Sequence, residues 1–221
     1  MDLFPGLDPA AGWNNVTFLD DPCCAVCGFP FEFDMGKDAL CGRCAGKRPA
    51  YAAARAAFAY NDASRSVVLA FKHGGRTEGL QMFARQMHRA GREILKDADI
   101  LIPVPLHYSR LTRRRYNQSA ILARALSKIC RARVDTHSLV RSRATKTQGG
   151  LSYTGRRRNV RGAFRLGPKA DIKGKTVVLI DDVFTTGATV EACARCLYKG
   201  GAKTVSGLTL ARVVKGAALP T

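Results

Sequence analysis

Short apolar runs alternate with amphipathic stretches along most of the chain beyond residue 50. Five apolar runs predict strands, at residues 56–60, 99–105, 134–140, 176–180 and 202–214. Between them, the spacing of apolar positions predicts helices at 64–73, 78–95, 117–130 and 188–201. Strands that alternate with helices are typical of an α/β fold with a largely parallel sheet.

Two segments interrupt this alternation. Residues 21–48 are dense in cysteine and glycine and follow no long period, which indicates a small module stapled by a metal. We expect a boundary near Pro49, with a lead-in and module at 1–48 and an α/β domain at 49–221. The second segment, 141–162, is rich in glycine and basic residues and predicts a loop.

The cysteines of the first segment form two CxxC pairs that are thirteen residues apart: Cys24, Cys27, Cys41 and Cys44. Four thiolates at this spacing can close a tetrahedral site around zinc. No ligand position is left open, so the expected Zn²⁺ is structural and not catalytic. Cys23 could replace Cys24 as a ligand, and the spacing leaves that choice open.

The chain carries a net charge of +19, and the excess is unevenly distributed. Residues 110–165 hold sixteen Lys or Arg and one acid, whereas residues 1–60 are slightly acidic. Such an excess repels itself unless it meets anions, which favours partners that carry phosphate. No apolar run approaches the length of a membrane span, and the first residues lack the features of a signal peptide. We therefore expect a cytoplasmic protein without membrane insertion.

The run VVLIDDVFTTGAT, at 177–189, places two carboxylates and a Thr/Gly loop after a predicted buried strand. Ligands of parallel α/β sheets bind outside the carboxyl ends of the strands. The loop opens a helix whose free N–H groups favour an anion, and Gly187 lets the backbone approach a ligand closely. These features indicate a phosphate in the loop, with hydroxyl groups or a metal at Asp181 and Asp182. The sequence has neither a Walker A loop nor a dinucleotide fingerprint.

This stretch resembles the 5-phosphoribosyl-1-pyrophosphate (PRPP) binding motif of type I phosphoribosyltransferases. The resemblance implies that Asp181 and Asp182 engage the ribose 2- and 3-hydroxyls and act in catalysis, with Mg²⁺ accompanying PRPP. It also implies that the loop holds the 5-phosphate, through Thr185, Thr186, Gly187, Ala188 and Thr189.

Other stretches narrow the resemblance to the ComF/ComFC competence family, which includes GntX-like proteins. They are PVPLHYSRLTRRRYNQSAILARAL at 103–126, FKHGG at 71–75, and the spaced set Thr145, Gln148, Leu151, Arg156, Asn159 and Phe164. The family implies a type I phosphoribosyltransferase fold, a mainly parallel sheet flanked by helices, with a small N-terminal zinc-ribbon-like module. Where the family usually reads RGFNQ, this chain reads RRYNQ, so Arg115 replaces a glycine and adds charge.

In the resembled fold, the segment after the 99–105 strand is a loop that meets the pyrophosphate of PRPP. Arg110 and Arg114 are candidate partners because guanidinium groups match phosphate oxygens, and Lys72 could reach the same anion. Residues 141–162 correspond to the loop that closes over PRPP. Basic side chains around Tyr153 also suit single-stranded nucleic acid, and the candidates are Arg156, Arg157 and Arg158.

Two functions are compatible with these features. The first is an enzyme that transfers phosphoribosyl from PRPP to an acceptor and releases pyrophosphate. The second is a non-catalytic competence protein that uses the PRPP fold as a scaffold or sensor and binds single-stranded DNA during uptake. Competence or DNA-processing proteins are expected partners under either hypothesis. No segment of the sequence identifies the acceptor.

Overall fold

The structure is a computed structural model that describes residues 16–65, 68, 79–114, 116–145 and 152–214. The FKHGG stretch with Lys72, most of the helix expected at 64–73, and Arg115 lie outside the described residues. The backbones of Arg110, Arg114 and Tyr153 are described, whereas their side chains are not.

The described residues form seven strands: β1 (Ala54–Ala59), β2 (Ile100–Pro103), β3 (Arg133–Val134), β4 (Leu139–Arg141), β5 (Phe164–Leu166), β6 (Thr176–Phe184) and β7 (Thr204–Arg212). Five of these strands make one parallel sheet in the order β1-β7-β6-β2-β3. β4 and β5 pair with each other in antiparallel fashion. The α/β architecture predicted from the alternating pattern is therefore confirmed.

Six helices have both ends within the described residues: α1 (Gly42–Gly46), α2 (Leu80–Leu95), α3 (Tyr108–Arg114), α4 (Gln118–Leu126), α5 (Tyr153–Val160) and α6 (Ala188–Lys199). Residues 62–65 are helical as well. Side chains alternate between the two faces of a strand, so successive residues of β6 enter different cores. Val178 and Ile180 pack with α2 and α4, whereas Val177 and Leu179 pack with α6 and the cysteine-rich segment. None of the helices in the described ranges is long and apolar enough to cross a membrane.

The cysteine-rich segment, which we call the cysteine module (residues 21–48), packs directly against the sheet. The Ala54 N–H donates to the carbonyl of Val26 at 2.7 Å, so the start of β1 is bonded to the module. At Gly28, with φ of +67°, a Cβ would lie 2.5 Å from the carbonyl oxygen of Ala54. Glycine is required at this backbone-to-backbone contact. The boundary near Pro49 stays a prediction.

Two segments expected as loops contain helices instead. Residues 141–162 were expected to be irregular, but α5 occupies their second half. Ser152 caps this helix by accepting from the Gly155 N–H at 3.2 Å, and Val160 is buried at its other end. The segment that follows β2 forms α3. A composition rich in glycine and arginine misled the sequence analysis, because a cap and one buried contact suffice for a short helix.

Two predicted strands have different bounds in the structure. The run at 134–140 is split between β3 and β4, because Asp135 Oδ1 accepts from the N–H groups of His137 and Ser138 at 2.8 and 2.9 Å and makes a turn. The strand expected at 176–180 continues to Phe184, so both carboxylates lie within β6 and not beyond it.

Candidate functional site

Asp181 and Asp182 lie near the carboxyl end of β6, where the chains that leave β2 and β6 pass to opposite faces of the sheet. β2 pairs with β6 as far as Pro103 and Ile180, so Asp181 is the first residue of β6 beyond that pairing. The chain that leaves β2 continues to α4 on one face, while the chain that leaves β6 enters α6 on the other face. A parallel sheet opens a crevice for ligands at such a switch point.

Asp181 is held by the start of α4. Its Oδ1 accepts from the hydroxyl of Ser119 at 3.0 Å and from the backbone N–H of Asp182 at 2.9 Å. Asn117 caps α4 by accepting from the Ser119 N–H at 3.0 Å, and its amide donates to the carbonyl of Val104 at 3.1 Å. The helix end therefore presents a hydroxyl and a favourable dipole to the carboxylate. The sequence analysis missed both polar residues, although an Asn before an apolar helix is a recognisable cap.

The Thr/Gly loop joins β6 to the N-terminus of α6, as the sequence predicted. Gly187 is the N-cap residue with φ of +76°, in the left-handed region. A Cβ at this position would lie 2.8 Å from Cζ of Phe184 and 3.1 Å from the hydroxyl of Tyr51. Only glycine fits this turn without strain. The loop therefore leads into the N-terminus of a twelve-residue helix, the end of a helix that favours an anion.

The structure brings the expected zinc ligands together. The sulfurs of the two CxxC pairs all lie within 4.8 Å of one another: Cys24, Cys27, Cys41 and Cys44. The sulfurs of Cys27 and Cys41 are 3.6 Å apart. Because Zn–S bonds are about 2.3 Å, the sulfurs of a tetrahedral site are separated by about 3.8 Å. The donor set and its size therefore fit one structural Zn²⁺.

Backbone hydrogen bonds favour negative charge on this cluster. Burial by itself raises the pKa of Cys24, but N–H groups of Cys27, Cys41 and Val26 outweigh it and lower this pKa to about 6. Burial raises the pKa of Cys44, and charge on the neighbouring sulfurs raises it further. A cation among the sulfurs removes that repulsion, which is the behaviour expected of a metal site.

Cys23 lies outside the sulfur cluster. Its thiol donates to Oδ1 of Asp21 at 3.3 Å, and burial raises its pKa to about 11. The choice that the spacing left open between Cys23 and Cys24 is therefore settled geometrically in favour of Cys24.

A cavity of about 510 Å³ lies between the cysteine module and the Thr/Gly loop. The module contributes Phe29 and Arg43, and the loop contributes Thr185 and Thr186. Arg43 also reaches across and donates to the carbonyl of Thr186 at 3.4 Å. The remaining walls come from α5, its cap and the end of β7: Ser152, Arg156, Arg212 and Val213. No local spacing in the sequence indicates that the module borders the Thr/Gly loop.

The three adjacent arginines of α5 do not form one site. Arg156 lines the cavity beside the Thr/Gly loop. Arg157 pairs with Glu191 of α6 at 3.4 Å, and Arg158 is exposed. Arg110 and Arg114 both lie on α3, after the strand that neighbours the two carboxylates, and nothing further is described for their side chains.

Comparison with known proteins gives this arrangement a class. Residues 88–219, more than half of the chain, match the phosphoribosyl transferase domain. The DNA utilization protein YhgH of Shigella flexneri is 32% identical over 206 residues, which cover 91% of this chain and 88% of that protein. The Competence protein F of Haemophilus influenzae is 30% identical over 86% of this chain and 85% of that protein.

A third relative, the Competence protein ComFC of Bacillus subtilis, is 32% identical over 72% of this chain and 63% of that protein. The fold and the site thus define a phosphoribosyltransferase-type α/β domain with an N-terminal four-cysteine module. The chain belongs to the ComF/ComFC family, as the sequence motifs indicated.

Proposed function

We propose that this protein binds PRPP together with Mg²⁺ and transfers the phosphoribosyl group to an acceptor. The observation that carries the proposal is the union of three parts within nine residues of chain: the two carboxylates at the switch point, the left-handed Gly187, and the start of α6. A sugar phosphate needs acceptors for its hydroxyls and donors for its phosphate, and this segment supplies both.

Each residue then has a separate task. Asp182 and Asp181 accept from the ribose hydroxyls, and Ser119 keeps the Asp181 carboxylate in place. The N–H groups and hydroxyls of 185–189 hold the 5-phosphate. As the bond to the leaving pyrophosphate weakens, positive charge develops on the ribose ring, and the two carboxylates stabilise it electrostatically.

Mg²⁺ and a set of basic residues are proposed to bind the pyrophosphate of PRPP. Mg²⁺ prefers carboxylate and phosphate oxygens, so the acid pair fits it, and when bound it neutralises charge on the leaving pyrophosphate. Arg110 and Arg114, on the helix after β2, are proposed to bind that pyrophosphate, with Lys72 as a further cation. The cavity of about 510 Å³ beside Thr185 and Thr186 is proposed to admit the 5-phosphate end of PRPP, since it adjoins the loop that would hold this phosphate.

Calorimetry of PRPP binding, with and without Mg²⁺, tests the proposal. Replacing a charged acceptor such as Asp182 by Asn should weaken PRPP binding by about 1–3 kcal/mol and weaken ribose 5-phosphate as well. Free pyrophosphate should be affected much less. Asp97→Asn is the matched control because Asp97 is an exposed acid after α2. Equal PRPP affinity in wild type and Asp182→Asn would show that the acid pair is only structural.

A second candidate function is non-catalytic binding of single-stranded DNA, with the PRPP fold as a scaffold or sensor. Two adjoining grooves of about 430 and 660 Å³ run between α5 and α6. Phe164 and Tyr198 contribute aromatic surface to the second groove. The basic side chains that border the two grooves are Arg157, Arg158, Arg161, Arg195 and Lys199. Cations beside aromatic surface suit a flexible polyanion with stacking bases. The names of the relatives also favour a link to DNA.

Fluorescence anisotropy with labelled single-stranded DNA at several salt concentrations tests this candidate. Each phosphate contact should contribute a slope of about −0.7 to the plot of log affinity against log salt. Replacing Arg156, Arg157 and Arg158 by Ala should reduce the slope by up to about 2, whereas Asp182→Asn should leave it unchanged. No binding at low salt would eliminate the candidate. Both candidates assume a cytoplasmic protein, which stays a prediction.

A further inference from the structure

Arg212, the last residue of β7, is a buried cation without a carboxylate partner. Its side chain is 2% exposed, and none of the ion pairs among the described residues involves it. Its Nε has no hydrogen-bond partner in the same part of the chain. A guanidinium stays charged in proteins, and burying an unpaired charge is costly, so a compensating negative group is required nearby.

The groups around Arg212 come from the cysteine module and from the end of β6. One Nη donates to the carbonyl oxygen of Cys27, and the other lies 3.8 Å from the Cys27 sulfur. The guanidinium also stacks on Phe184 and Phe29, at 4.9 and 5.5 Å from the ring centroids. The rings favour a cation only modestly. Among the contacts that the described part of the chain makes with this guanidinium, the Cys27 sulfur is the one that can supply a full negative charge.

We propose that Arg212 is the counter-charge of the four-cysteine metal site and the positioning residue that links this site to the Thr/Gly loop. Four thiolates around Zn²⁺ carry a net charge of −2, and a hydrogen bond from a guanidinium disperses part of it. Groups that touch a metal ligand in this way tune metal affinity. The metal in turn keeps the sulfurs anionic, which compensates the buried guanidinium.

The same residue reaches the loop through one aromatic ring. The ring of Phe184 packs on the guanidinium of Arg212, and its Cζ is the atom nearest to where a Cβ of Gly187 would lie. Tyr51 packs edge-on against Phe184 and also contacts Gly187. The metal site, the guanidinium, the ring and the glycine thus form one continuous packed column. Loss of the metal should be felt at the loop.

The first experiment measures zinc affinity of the full chain by competition with a chromophoric chelator. Arg212→Met, which removes the charge at similar length, should lower zinc affinity about 10- to 100-fold. Arg212→Lys keeps the positive charge and should retain most of the wild-type zinc affinity. Arg55 provides the matched control, because its described side-chain hydrogen bonds go to the carbonyl of Ala25 in the module and to the carbonyl of Ala54 in β1, and not to a sulfur of the cluster. Arg55→Met should change zinc affinity less than about threefold.

A spectroscopic readout separates this role from mere packing. With Co²⁺ in place of zinc, the sulfur-to-cobalt charge-transfer band should shift in Arg212→Met and return toward wild type in Arg212→Lys, and Arg55→Met should leave it unchanged. Equal losses of affinity in the Met variants of Arg212 and Arg55, with unshifted bands, would overturn the proposal. If Arg212→Met does not fold, Arg212→Gln takes its place, because it removes the charge and keeps hydrogen-bond donors; a wild-type band and wild-type zinc affinity in that variant would overturn the proposal.

The second arm rests on the proposed PRPP function and measures PRPP binding before and after zinc removal. Wild type should lose at least tenfold in affinity when a chelator removes zinc. Arg212→Met should bind PRPP weakly even with zinc present. Removing zinc should lower the PRPP affinity of this variant less than that of wild type, because the contact between the metal site and Phe184 is already lost. If zinc removal leaves wild-type PRPP affinity unchanged, the link to the loop is wrong, whereas the zinc arm stands on its own. Absence of PRPP binding in every sample would instead refute the proposed function.

Discussion

Two regions border the cavity beside the Thr/Gly loop, and they are held in place by different forces. The cysteine module joins the main core: Cys24, Val26 and Cys27 pack with the sheet residues Val177 and Leu179. The segment between β4 and β5 is attached instead by charges. Within it, α5 is bonded to α6 through Arg157, which donates to Glu191 at 3.4 Å; Arg195, on α6 itself, holds the same carboxylate at 2.7 Å.

The difference teaches that proximity to the same site does not imply the same response to conditions. Burial and metal coordination resist salt, because the interacting groups are shielded from solvent. Ion pairs between partly exposed side chains are weakened by salt and contribute little each. We therefore expect the module to depend on metal and α5 to depend on ionic strength, and the following substitutions test each half of that statement.

Removal of one metal ligand should have the largest effect. Cys41→Ser should abolish zinc binding and lower the free energy of unfolding by more than about 4 kcal/mol, because structural zinc supplies most of the folding energy of a small module. Metal analysis and urea denaturation measure the two quantities. Cys23→Ser is the control, since this neighbouring cysteine lies outside the cluster. Purified protein that is folded without zinc would contradict the prediction.

A side chain at the loop glycine should have the next largest effect. Gly187→Ala places a Cβ 2.8 Å from Phe184 Cζ at φ of +76°, and we expect a loss of about 1–3 kcal/mol in stability. Gly174→Ala has a similar φ of +71° but nothing within 4 Å of its Cβ. The difference between the two variants in urea denaturation isolates the contact with the ring. Equal losses would mean that backbone conformation alone requires glycine at 187.

This comparison also shows which features the sequence could predict. The four-cysteine cluster was predictable because the CxxC spacing is local and brings the four sulfurs close together. The carboxylates and the loop were predictable because they follow one another within a single strand–loop–helix unit. Periodicity likewise predicted α2 and α6, whose apolar positions recur at helical spacing.

Contacts between distant segments were not predictable in the same way. The bond from Ser119 to Asp181, the approach of Arg43 to Thr186, and the burial of Arg212 against Cys27 depend on how the chain folds back. No local spacing encodes them. The helix α5 was missed because its sequence has no apolar period, and one of its arginines, Arg157, finds its partner on α6. Tertiary contacts override weak local preference in such segments.

Weakening the attachment of α5 to α6 should lower the free energy of unfolding only modestly. Glu191→Gln removes the acid shared by Arg157 and Arg195, and we expect a loss of about 1 kcal/mol at low salt that shrinks as salt is raised. Hydrogen exchange at residues 153–160 should become faster. Asp171→Asn is the control, because its pair with Arg133 is exposed at the surface. Unchanged exchange in α5 would show that Val160 and the Ser152 cap hold this helix without the ion pairs.

The smallest expected effect concerns the turn between β3 and β4, which Asp135 holds through its carboxylate. Burial by itself raises the pKa of Asp135, but hydrogen bonds from Ser138 and His137 outweigh it and hold this pKa below the usual value of 3.8. A carboxyl with a lowered folded-state pKa stabilises the fold above its unfolded value and loses that contribution as the pH falls through the folded value. Asp135→Asn should therefore cost about 0.5–1 kcal/mol near neutral pH, the usual cost of a weakened side-chain cap.

The difference in stability between wild type and Asp135→Asn should shrink as the pH falls below about 4, because protonation removes the charge from the wild-type side chain. Urea denaturation over a pH series measures this difference, and NMR titration of the Asp135 carboxyl carbon measures its pKa directly. Asp62→Asn, at an exposed position, should show no such pH dependence. A carboxyl that titrates at or above the usual aspartate value would mean that the three hydrogen bonds do not favour its charged form.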